Sequence, residues 1–472
     1  MVGPHQDVSK AIEAFRQLLG FSDMLAYLVM MAQRLVELHR VLKSSGSLYL
    51  HCDPAASHYL KVLLDAVFDA RNMVNEIVWK RTYAHGDAGG QGAQHFGRVH
   101  DTILFYAKQR GEAIFNPFYQ PYDPDYIEKT FKYKDPDGRK WQSLPMDGPG
   151  GAAKGNPSFE VLGVTRYWRY SRETMNRLLE EGRIHQSKPG VVPREKGYLD
   201  ESKGVLAQDL WTDIRKISSR AKERLGYPTQ KPELLLDRVI KVSSNEDCVV
   251  LDPFCGCGTA IASAQRLGRT WIGIDITHLA ISLIKHRLAD TYGDSIEYTV
   301  VGEPTSLEGA LALALDDRFQ FQYWALGLVE ARPHQEKKGA DHGIDGRIYF
   351  IDEKNQKAKQ VIISVKSGKP KVNEIRDLKG VLDREKAQIG VYITLNNPTN
   401  PMRKEAASSG FYESPGWNSR HPRIQILTIQ EILDGKRIDM PPIKHVSQTF
   451  RKAKRATEPA PPQGEMFGTG HD

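Results

Sequence analysis

Residues 248–264 read CVVLDPFCGCGTAIASA. The apolar run Cys248–Leu251 has the length and β-branching of a buried strand, and a helical pattern begins at Thr259 after a glycine-rich turn. Such a strand, turn and helix place backbone N–H groups at a helix N-terminus, where a nucleotide-like ligand can approach closely. A second apolar strand, 271–274, ends in Asp275, whose carboxylate can accept hydrogen bonds from both hydroxyls of a ribose. This stretch predicts an α/β domain with a nucleotide-like cofactor site.

The glycine turn differs from two common nucleotide-binding loops. After Gly256 and Gly258 there is no third glycine, as a dinucleotide fingerprint requires, and no Lys-Ser or Lys-Thr, as a phosphate loop requires. A Gly-x-Gly alone is also compatible with an ordinary tight turn. Cys255 and Cys257 lack a second ligand pair, so we interpret them as small residues lining the loop rather than as metal ligands.

The longer pattern, Asp-Pro-Phe-x-Gly-x-Gly-Thr followed by a strand-ending acid, resembles the S-adenosylmethionine-binding motif of amino-methylating DNA methyltransferases. The segment Tyr-Pro-Thr-Gln-Lys-Pro at 227–232 resembles the motif that precedes the cofactor loop in that family and helps hold the methionine end. In this resemblance Asp275 is the ribose-binding acid. The resemblance implies a cofactor site made of seven residues: Asp252, Phe254, Gly256, Gly258, Asp275, Gln230 and Lys231.

Composition gives the broad class of the protein. The 472 residues, 40% hydrophobic and 26% charged, allow two or three globular domains. No apolar run approaches the roughly 20 residues of a membrane span, and the N-terminus lacks the pattern of a signal peptide. Four cysteines are too few and too clustered for a disulfide framework, so we expect a reducing, cytoplasmic location. The net charge of +7 weakly favours nucleic acid as a partner.

The resemblance extends over residues 8–300 and is to the permuted, β-class order, in which the catalytic half and the target-recognition region precede the cofactor motif. Residues 46–51, Gly-Ser-Leu-Tyr-Leu-His, match the strand after the catalytic loop, and residues 75–81 match the entry to target recognition. We predict helix over residues 8–43, and the family's catalytic loop, Asp/Asn/Ser-Pro-Pro-Tyr/Phe, is expected upstream of the helix at 24–43. No such tetrapeptide occurs in the sequence. Three explanations stay open: an N-terminally incomplete chain, a loop supplied by another chain, or lost catalysis.

Residues 82–215 interleave Gly, Pro, aromatic and basic residues. Aromatic rings beside basic groups suit stacking on bases and pairing with phosphates, which predicts a target-recognition region that binds double-stranded DNA. The alternative is a loop-rich insertion whose aromatic residues form a small core of their own.

A second pattern begins near residue 315. Gly-x-Asp-x-Gly-Ile-Asp-Gly, ending at Gly346, is followed by Ser-Val-Lys at 364–366 and resembles the Mrr-like branch of the PD-(D/E)xK nuclease fold. The resemblance implies a nuclease site with Asp345 as the metal-binding acid, Lys366 as charge stabiliser, Glu330 as a helix acid, and Mg²⁺ as the ion. Ser364 departs from the pattern, because a hydroxyl is a poorer metal ligand than a carboxylate. A non-cleaving DNA-binding domain and a plain hairpin are the alternatives.

These observations predict three regions. A Rossmann-like methyltransferase domain covers 1–300, with target recognition at about 82–215 and the cofactor half at about 225–300. A smaller α/β nuclease-like domain covers 315–442, and a flexible basic tail covers 443–472. The predicted function is methyl transfer to an exocyclic amine of DNA, adenine N6 ahead of cytosine N4, within a restriction–modification system. A homodimer or a partner subunit is left open, and the alternative function is a non-catalytic DNA-binding subunit or remnant.

Overall fold

The computed structural model describes residues 4–82, 95–218, 220–221, 223–334, 343–352 and 358–442. They form two compact units: the smaller contains residues 117–209, and the larger contains the described residues before 117 and after 209. The predicted basic tail, 443–472, lies outside the described residues, as do residues 83–94 of the predicted target-recognition region. No helix in the described part of the chain is both long and apolar enough to cross a membrane.

The first part of the larger unit is a helical layer beside the start of a sheet. Its elements are α1 (Pro4–Leu19), α2 (Asp23–Val41), β1 (Ser47–Cys52), α3 (Ser57–Phe68), β2 (Met73–Lys80) and β3 (His100–Ala107). Most of residues 8–43 is helical, as predicted, but the chain breaks at residues 20–22 between two helices. Gly20 has a φ of +60°, and the Ser22 hydroxyl caps α2 by accepting a hydrogen bond from the Leu25 N–H at 3.3 Å.

The smaller unit is built from short strands and two helices. They are β4 (Tyr119–Gln120), α4 (Pro124–Thr130), β5 (Tyr133–Lys134), β6 (Lys140–Pro145), β7 (Ser158–Val161), β8 (Val164–Tyr167), α5 (Arg172–Glu180), β9 (Ile184–His185), β10 (Arg194–Tyr198) and β11 (Val205–Leu206). Four strands form a sheet in the order β5-β6-β10-β9. Trp168 and Met175 are fully buried in the core of this unit, and Trp141 is also buried. Several aromatic residues of this unit are therefore part of its core, whereas Tyr126, Tyr133 and Tyr167 are exposed.

The chain then returns to the larger unit and completes two sheets. The elements are β12 (Leu210–Trp211), α6 (Glu233–Ser243), β13 (Val249–Asp252), α7 (Thr259–Arg266), β14 (Thr270–Gly273) and α8 (His278–Tyr292). One sheet has the order β1-β3-β2-β12, with β3 antiparallel to both of its neighbours and β12 parallel to β2. The other contains β13 and β14, which are parallel. Helix α6 joins the two, because Leu235 packs in the core of the first sheet and the Glu233 carbonyl accepts a hydrogen bond from Ser263 of α7.

The C-terminal part has its own mixed five-stranded sheet. Its elements are α9 (Leu307–Asp316), α10 (Arg318–Leu328), β15 (Arg332–Pro333), β16 (Gly346–Phe350), β17 (Lys359–Lys366), α11 (Val372–Glu385), β18 (Ile389–Thr394), α12 (Asn400–Ser408), β19 (Phe411–Ser414), β20 (Ser419–Pro422), β21 (Ile424–Thr428) and α13 (Ile429–Leu433). The order β15-β16-β17-β18-β21 brings apolar strands to the centre, and β18 is buried along its whole length. The predicted α/β fold class, with a smaller α/β domain after the methyltransferase-like part, is confirmed.

Candidate cofactor site

The glycine turn lies between the end of β13 and the first residue of α7. Gly256 and Gly258 have φ values of +49° and +72°, a region in which side chains other than glycine are strained. A Cβ on Gly258 would lie 2.7 Å from Ile284 Cγ1, and one on Gly256 would lie 3.0 Å from the Tyr227 ring. Both glycines are therefore required by backbone conformation and by close packing, and they lie directly before the first N–H groups of α7.

Gly258→Ala should lower the free energy of unfolding by about 2–4 kcal/mol, because a strained φ and a clash with Ile284 act together. Gly268→Ala is a matched control: its φ is also +72°, but nothing lies within 4 Å of the added Cβ. The control should cost only about 1–2 kcal/mol. Urea-induced unfolding of both variants measures the difference, and equal losses would contradict the packing argument.

Asp275 fastens the glycine turn to the start of α8. Its Oδ2 accepts a hydrogen bond from the Gly256 N–H at 2.9 Å. Its Oδ1 accepts from the Thr277 N–H at 2.9 Å and from the Thr277 hydroxyl at 2.8 Å. Since a carboxylate offers about four lone-pair sites, one acceptor position remains for a ribose hydroxyl beside these three bonds. Asp275 thus lies beside the turn. Its hydrogen bonds also hold the turn against the start of α8, which the sequence did not predict.

Asp252 ends β13 and starts the turn. Its Oδ1 accepts a hydrogen bond from the Phe254 N–H at 3.1 Å. Burial raises the pKa of Asp252, and the neighbouring carboxylate of Asp275 raises it further. The hydrogen bond from the Phe254 N–H acts in the opposite direction. The Phe254 side chain is 48% exposed although the turn beneath it is buried. An exposed ring beside two convergent carboxylates suits the flat, hydroxyl-bearing face of a nucleoside.

The two cysteines of the turn are buried beneath it. Burial, together with the carboxylates of Asp252 and Asp275, raises the pKa of the Cys255 thiol to about 12. Burial also raises the pKa of Cys257. Thiolates are the metal-binding form, and these thiols are protonated at neutral pH. Their place in the loop agrees with small packing residues.

Gln230 and Lys231 lie in the segment before α6. The Gln230 side chain donates to the Glu223 carbonyl at 2.6 Å and accepts from the Leu225 N–H at 2.8 Å, so it holds the preceding loop. The Lys231 carbonyl accepts a hydrogen bond from the Thr259 hydroxyl at 3.3 Å, which ties this segment to the start of α7. Burial lowers the pKa of the Lys231 ammonium, and the carboxylates of Asp101 and Asp252 oppose that shift.

Two residues that support the turn were not among the predicted site residues. Arg287 of α8 is buried, and its guanidinium donates to the Cys257 carbonyl at 3.1 Å and to Glu233 at 2.6 Å. The only signal in the sequence was an arginine between apolar residues of a predicted helix. Tyr227 packs against Gly256, and burial raises the pKa of its phenol. It belongs to the motif at 227–232, so the motif itself was the signal.

The predicted nuclease residues lie in the C-terminal part. Asp345 is half-buried, and its Oδ2 accepts a hydrogen bond from the Val365 N–H at 2.7 Å. Lys366 ends β17 and is half-buried, whereas Ser364 is buried. Glu330 is exposed, with a φ of +55°, and its charge opposes the lowering by burial of the pKa of His286 on α8. Within the described ranges no group of three or more His, Cys, Asp or Glu residues could hold a metal ion.

Comparison with known families gives two matches. A family described as DNA methylase matches residues 8–286, which is more than half of the chain. A family described as NACHT-associated inactive Restriction Endonuclease 1 matches residues 320–434.

Similar curated proteins are named as methyltransferases or as a subunit of a restriction-modification enzyme. The type II methyltransferase M.EcaI of Enterobacter cloacae is 29% identical over 63% of this chain and 65% of its own length. The type III restriction-modification enzyme StyLTI Mod subunit of Salmonella typhimurium is 26% identical over 53% of this chain and 40% of its own length. The DNA adenine methyltransferase YhdJ of Escherichia coli is 26% identical over 54% of this chain and 64% of its own length. The chain thus spans less than two thirds of each of these relatives.

Proposed function

The chain belongs to the DNA methylase family, and on this premise we propose that it binds S-adenosylmethionine and double-stranded DNA and, once a catalytic loop is supplied, methylates an exocyclic amine of a base. One observation carries the proposal. The parallel strands β13 and β14 end side by side, and their ends bring together Asp252, the glycine turn and Asp275. Backbone N–H groups, two carboxylates and an exposed ring at one strand edge match the parts of a methionine-bearing nucleoside.

Adenine N6 is proposed as the target ahead of cytosine N4. The support is the Escherichia coli relative, which is named as a DNA adenine methyltransferase. The β-class order and a target-recognition role for the region around 82–215 are part of the same proposal. A partner subunit is also proposed, because the Salmonella relative is named as the Mod subunit of a restriction-modification enzyme.

The test of the proposed function is calorimetric titration of the chain with S-adenosylmethionine, followed by a gel shift with unmodified double-stranded DNA at increasing salt. We expect saturable cofactor binding at one site per chain. We also expect DNA affinity that falls with salt, since phosphate contacts release counterions. A chain that is folded by circular dichroism yet releases no heat with the cofactor would exclude the proposed function.

For the C-terminal domain we propose an Mrr-like PD-(D/E)xK fold that does not cleave DNA. Support comes from Asp345, because one of its carboxylate oxygens is already hydrogen-bonded to the Val365 N–H. Ser364 offers a hydroxyl where a second carboxylate would hold the ion. The description of the matched family as inactive points the same way.

The expected result is that plasmid DNA incubated with the chain and Mg²⁺ stays uncut. Asp345→Ala should instead lower stability by about 1–3 kcal/mol, because it leaves the buried Val365 N–H without an acceptor. Asp377→Ala is the control, since Asp377 is exposed on α11 and its loss should change the free energy of unfolding very little. Mg²⁺-dependent nicking that disappears in Asp345→Ala would contradict the proposal.

A further inference from the structure

A second polar cluster lies at the carboxyl ends of β1 and β2. It consists of His51 on β1, Arg81 just after β2 and Asp101 at the start of β3, and the charge of Lys231 also acts on Asp101. Strands β1 and β2 both run antiparallel to β3, so the ends of the first two and the start of the third meet at one sheet edge. In α/β sheets, ligands bind in the crevice outside the carboxyl ends of strands. None of the functions assigned above uses His51, Arg81 or Asp101.

Asp101 is held in one orientation by two basic neighbours. Its Oδ2 lies 3.0 Å from His51 Nε2, and its Oδ1 lies 3.2 Å from Arg81 Nε. The Trp79 ring packs edge-on against the His51 ring at 5.5 Å, and its own N–H donates to the Ile214 carbonyl at 2.8 Å. Burial acts to raise the pKa of Asp101, but the His51 hydrogen bond and the charges of His51, Arg81 and Lys231 outweigh it and lower the pKa. Asp101 is therefore an ionised, oriented acceptor.

One oxygen of this acceptor is ion-paired but accepts no hydrogen bond. The Arg81 Nε is buried and, although it lies near Asp101, is not aligned for a hydrogen bond. Among the residues that the structure describes, Asp101 Oδ1 thus accepts no hydrogen bond, and the side chain keeps 14% of its surface open. An ion pair that served only the fold would be expected to satisfy its buried polar atoms.

Lys231 links this acceptor to the cofactor site. Its carbonyl accepts a hydrogen bond from the Thr259 hydroxyl at 3.3 Å, which places Lys231 beside the start of α7. The charges of Asp101 and Asp252 both oppose the lowering of the Lys231 pKa by burial. The Lys231 Nζ donates one hydrogen bond, to the Thr229 carbonyl at 3.1 Å, and an ammonium has three N–H donors. Asp101 is therefore a fixed acceptor, and Lys231 is a donor with spare N–H groups. The charge of Lys231 interacts both with Asp101 and with Asp252 at the end of β13.

We propose that Asp101 and Lys231 recognise the Watson–Crick edge of the target base. This inference rests on the proposed function and deepens it. Asp101 Oδ1 accepts a hydrogen bond from the exocyclic amine, and Lys231 donates to the adjacent ring nitrogen, N1 of adenine or N3 of cytosine. Guanine and thymine carry a carbonyl and a ring N–H at these places, so they would set an oxygen against the carboxylate. Enzymes that act on a flipped base read it by such contacts. His51 and Arg81 act as positioning residues for Asp101.

The test uses deoxynucleoside monophosphates as probes, because these need no recognition sequence. The full chain is saturated with S-adenosylhomocysteine, and binding of each monophosphate is followed by ligand-observed NMR. We expect dAMP, dCMP or both to bind about tenfold tighter than TMP and dGMP. The monophosphate of purine 2′-deoxyriboside, which lacks the amine, should bind as weakly as TMP.

Asp101→Asn keeps the shape of the side chain but replaces one acceptor oxygen with a donor. It should reduce the preference for amine-bearing bases to about twofold or less, while S-adenosylhomocysteine affinity changes little. Lys231→Met is a second variant, whose folding is independent of the first. It should weaken the binding of dAMP and dCMP without strengthening the binding of TMP. Asp252→Asn is the matched control, in which cofactor affinity falls while base preference stays.

Failure of this inference differs from failure of the proposed function. If the parent chain does not bind S-adenosylhomocysteine, the proposed function fails. If it binds the cofactor but shows no base preference, or keeps that preference in Asp101→Asn, the assignment of Asp101 is overturned.

Discussion

Replacing Asp275 with alanine is expected to weaken S-adenosylmethionine binding at least 100-fold. Loss of the one hydrogen bond between this charged carboxylate and a ribose hydroxyl removes up to about 3 kcal/mol, and each 1.4 kcal/mol corresponds to a factor of ten in Kd. The variant also removes the acceptor for the Gly256 N–H, so the turn that faces the cofactor loses its attachment to β14. Titration calorimetry against the parent chain measures the change, and an unchanged Kd would exclude Asp275 from the cofactor site.

The second role of Asp275 calls for a control that separates binding from support. Thr277→Val deletes the hydroxyl that donates to Asp275 Oδ1 but keeps the carboxylate and its bond to Gly256. We expect less than a fivefold change in Kd for this variant, together with a loss of about 1 kcal/mol in stability. If Thr277→Val weakens cofactor binding as much as Asp275→Ala does, the Asp275 carboxylate only supports the turn and does not bind the cofactor.

The local part of the cofactor site could be predicted from the sequence, because strand, turn and helix are consecutive. The apolar run before the turn and the helix after it lie where the pattern placed them, with β13 displaced by one residue to Val249–Asp252. The glycine requirement follows from the same local chain. The supporting contacts could not be predicted in this way. Arg287 meets Cys257 across 30 residues, and His51 meets Asp101 across 50, so only the folded chain brings them together.

In the nuclease-like region the order of residue types along the chain did not predict which side chains interact. The sequence grouped Glu330 with Asp345 and Lys366 because acids and a lysine follow in the expected order. In the structure the charge of Glu330 acts on His286 of α8, and the Asp345 carboxylate accepts a backbone hydrogen bond. The expected residue types are therefore present, but their interactions differ from those of a metal site. The domain packs against the methyltransferase part, since the His278 N–H on α8 donates to Gln320 on α10 at 3.1 Å.

The largest effect is expected for methyl transfer itself. The 472 residues contain no Asp/Asn/Ser-Pro-Pro-Tyr/Phe tetrapeptide. Asp101 is the acceptor proposed for the target amine, but no aromatic ring in the chain is assigned to stack on the base and hold it in line with the methyl sulfonium. Orientation of this kind can contribute effective molarities of about 10⁵ M or more. We expect the chain alone to bind the cofactor and DNA, but to transfer no detectable radioactive methyl group from labelled S-adenosylmethionine to unmodified DNA.

Two open strand edges show where a catalytic segment could be added. In the described residues β1 pairs only with β3 and β13 pairs only with β14, so each has one edge free of ladder hydrogen bonds. On β13 and β14, Val249 and Ile272 are each 51% exposed, which leaves apolar surface for a further element to cover. An isolated two-stranded sheet is only marginally stable, and an added strand supplies backbone hydrogen bonds together with burial.

We therefore expect a designed segment, an apolar strand of about six residues followed by Asp-Pro-Pro-Tyr, to restore transfer when fused ahead of residue 1. The strand would bind a free edge and bring the loop to the strand ends, near Lys231 and Asp252, where cofactor and base meet in the proposed site. The same segment ending in Ala-Pro-Pro-Ala is the control and should add stability without transfer. Methyl transfer by the unmodified chain would show that another loop performs this chemistry. No transfer by the fused chain, despite unchanged cofactor and DNA binding, would show that the free edges do not accept the catalytic strand.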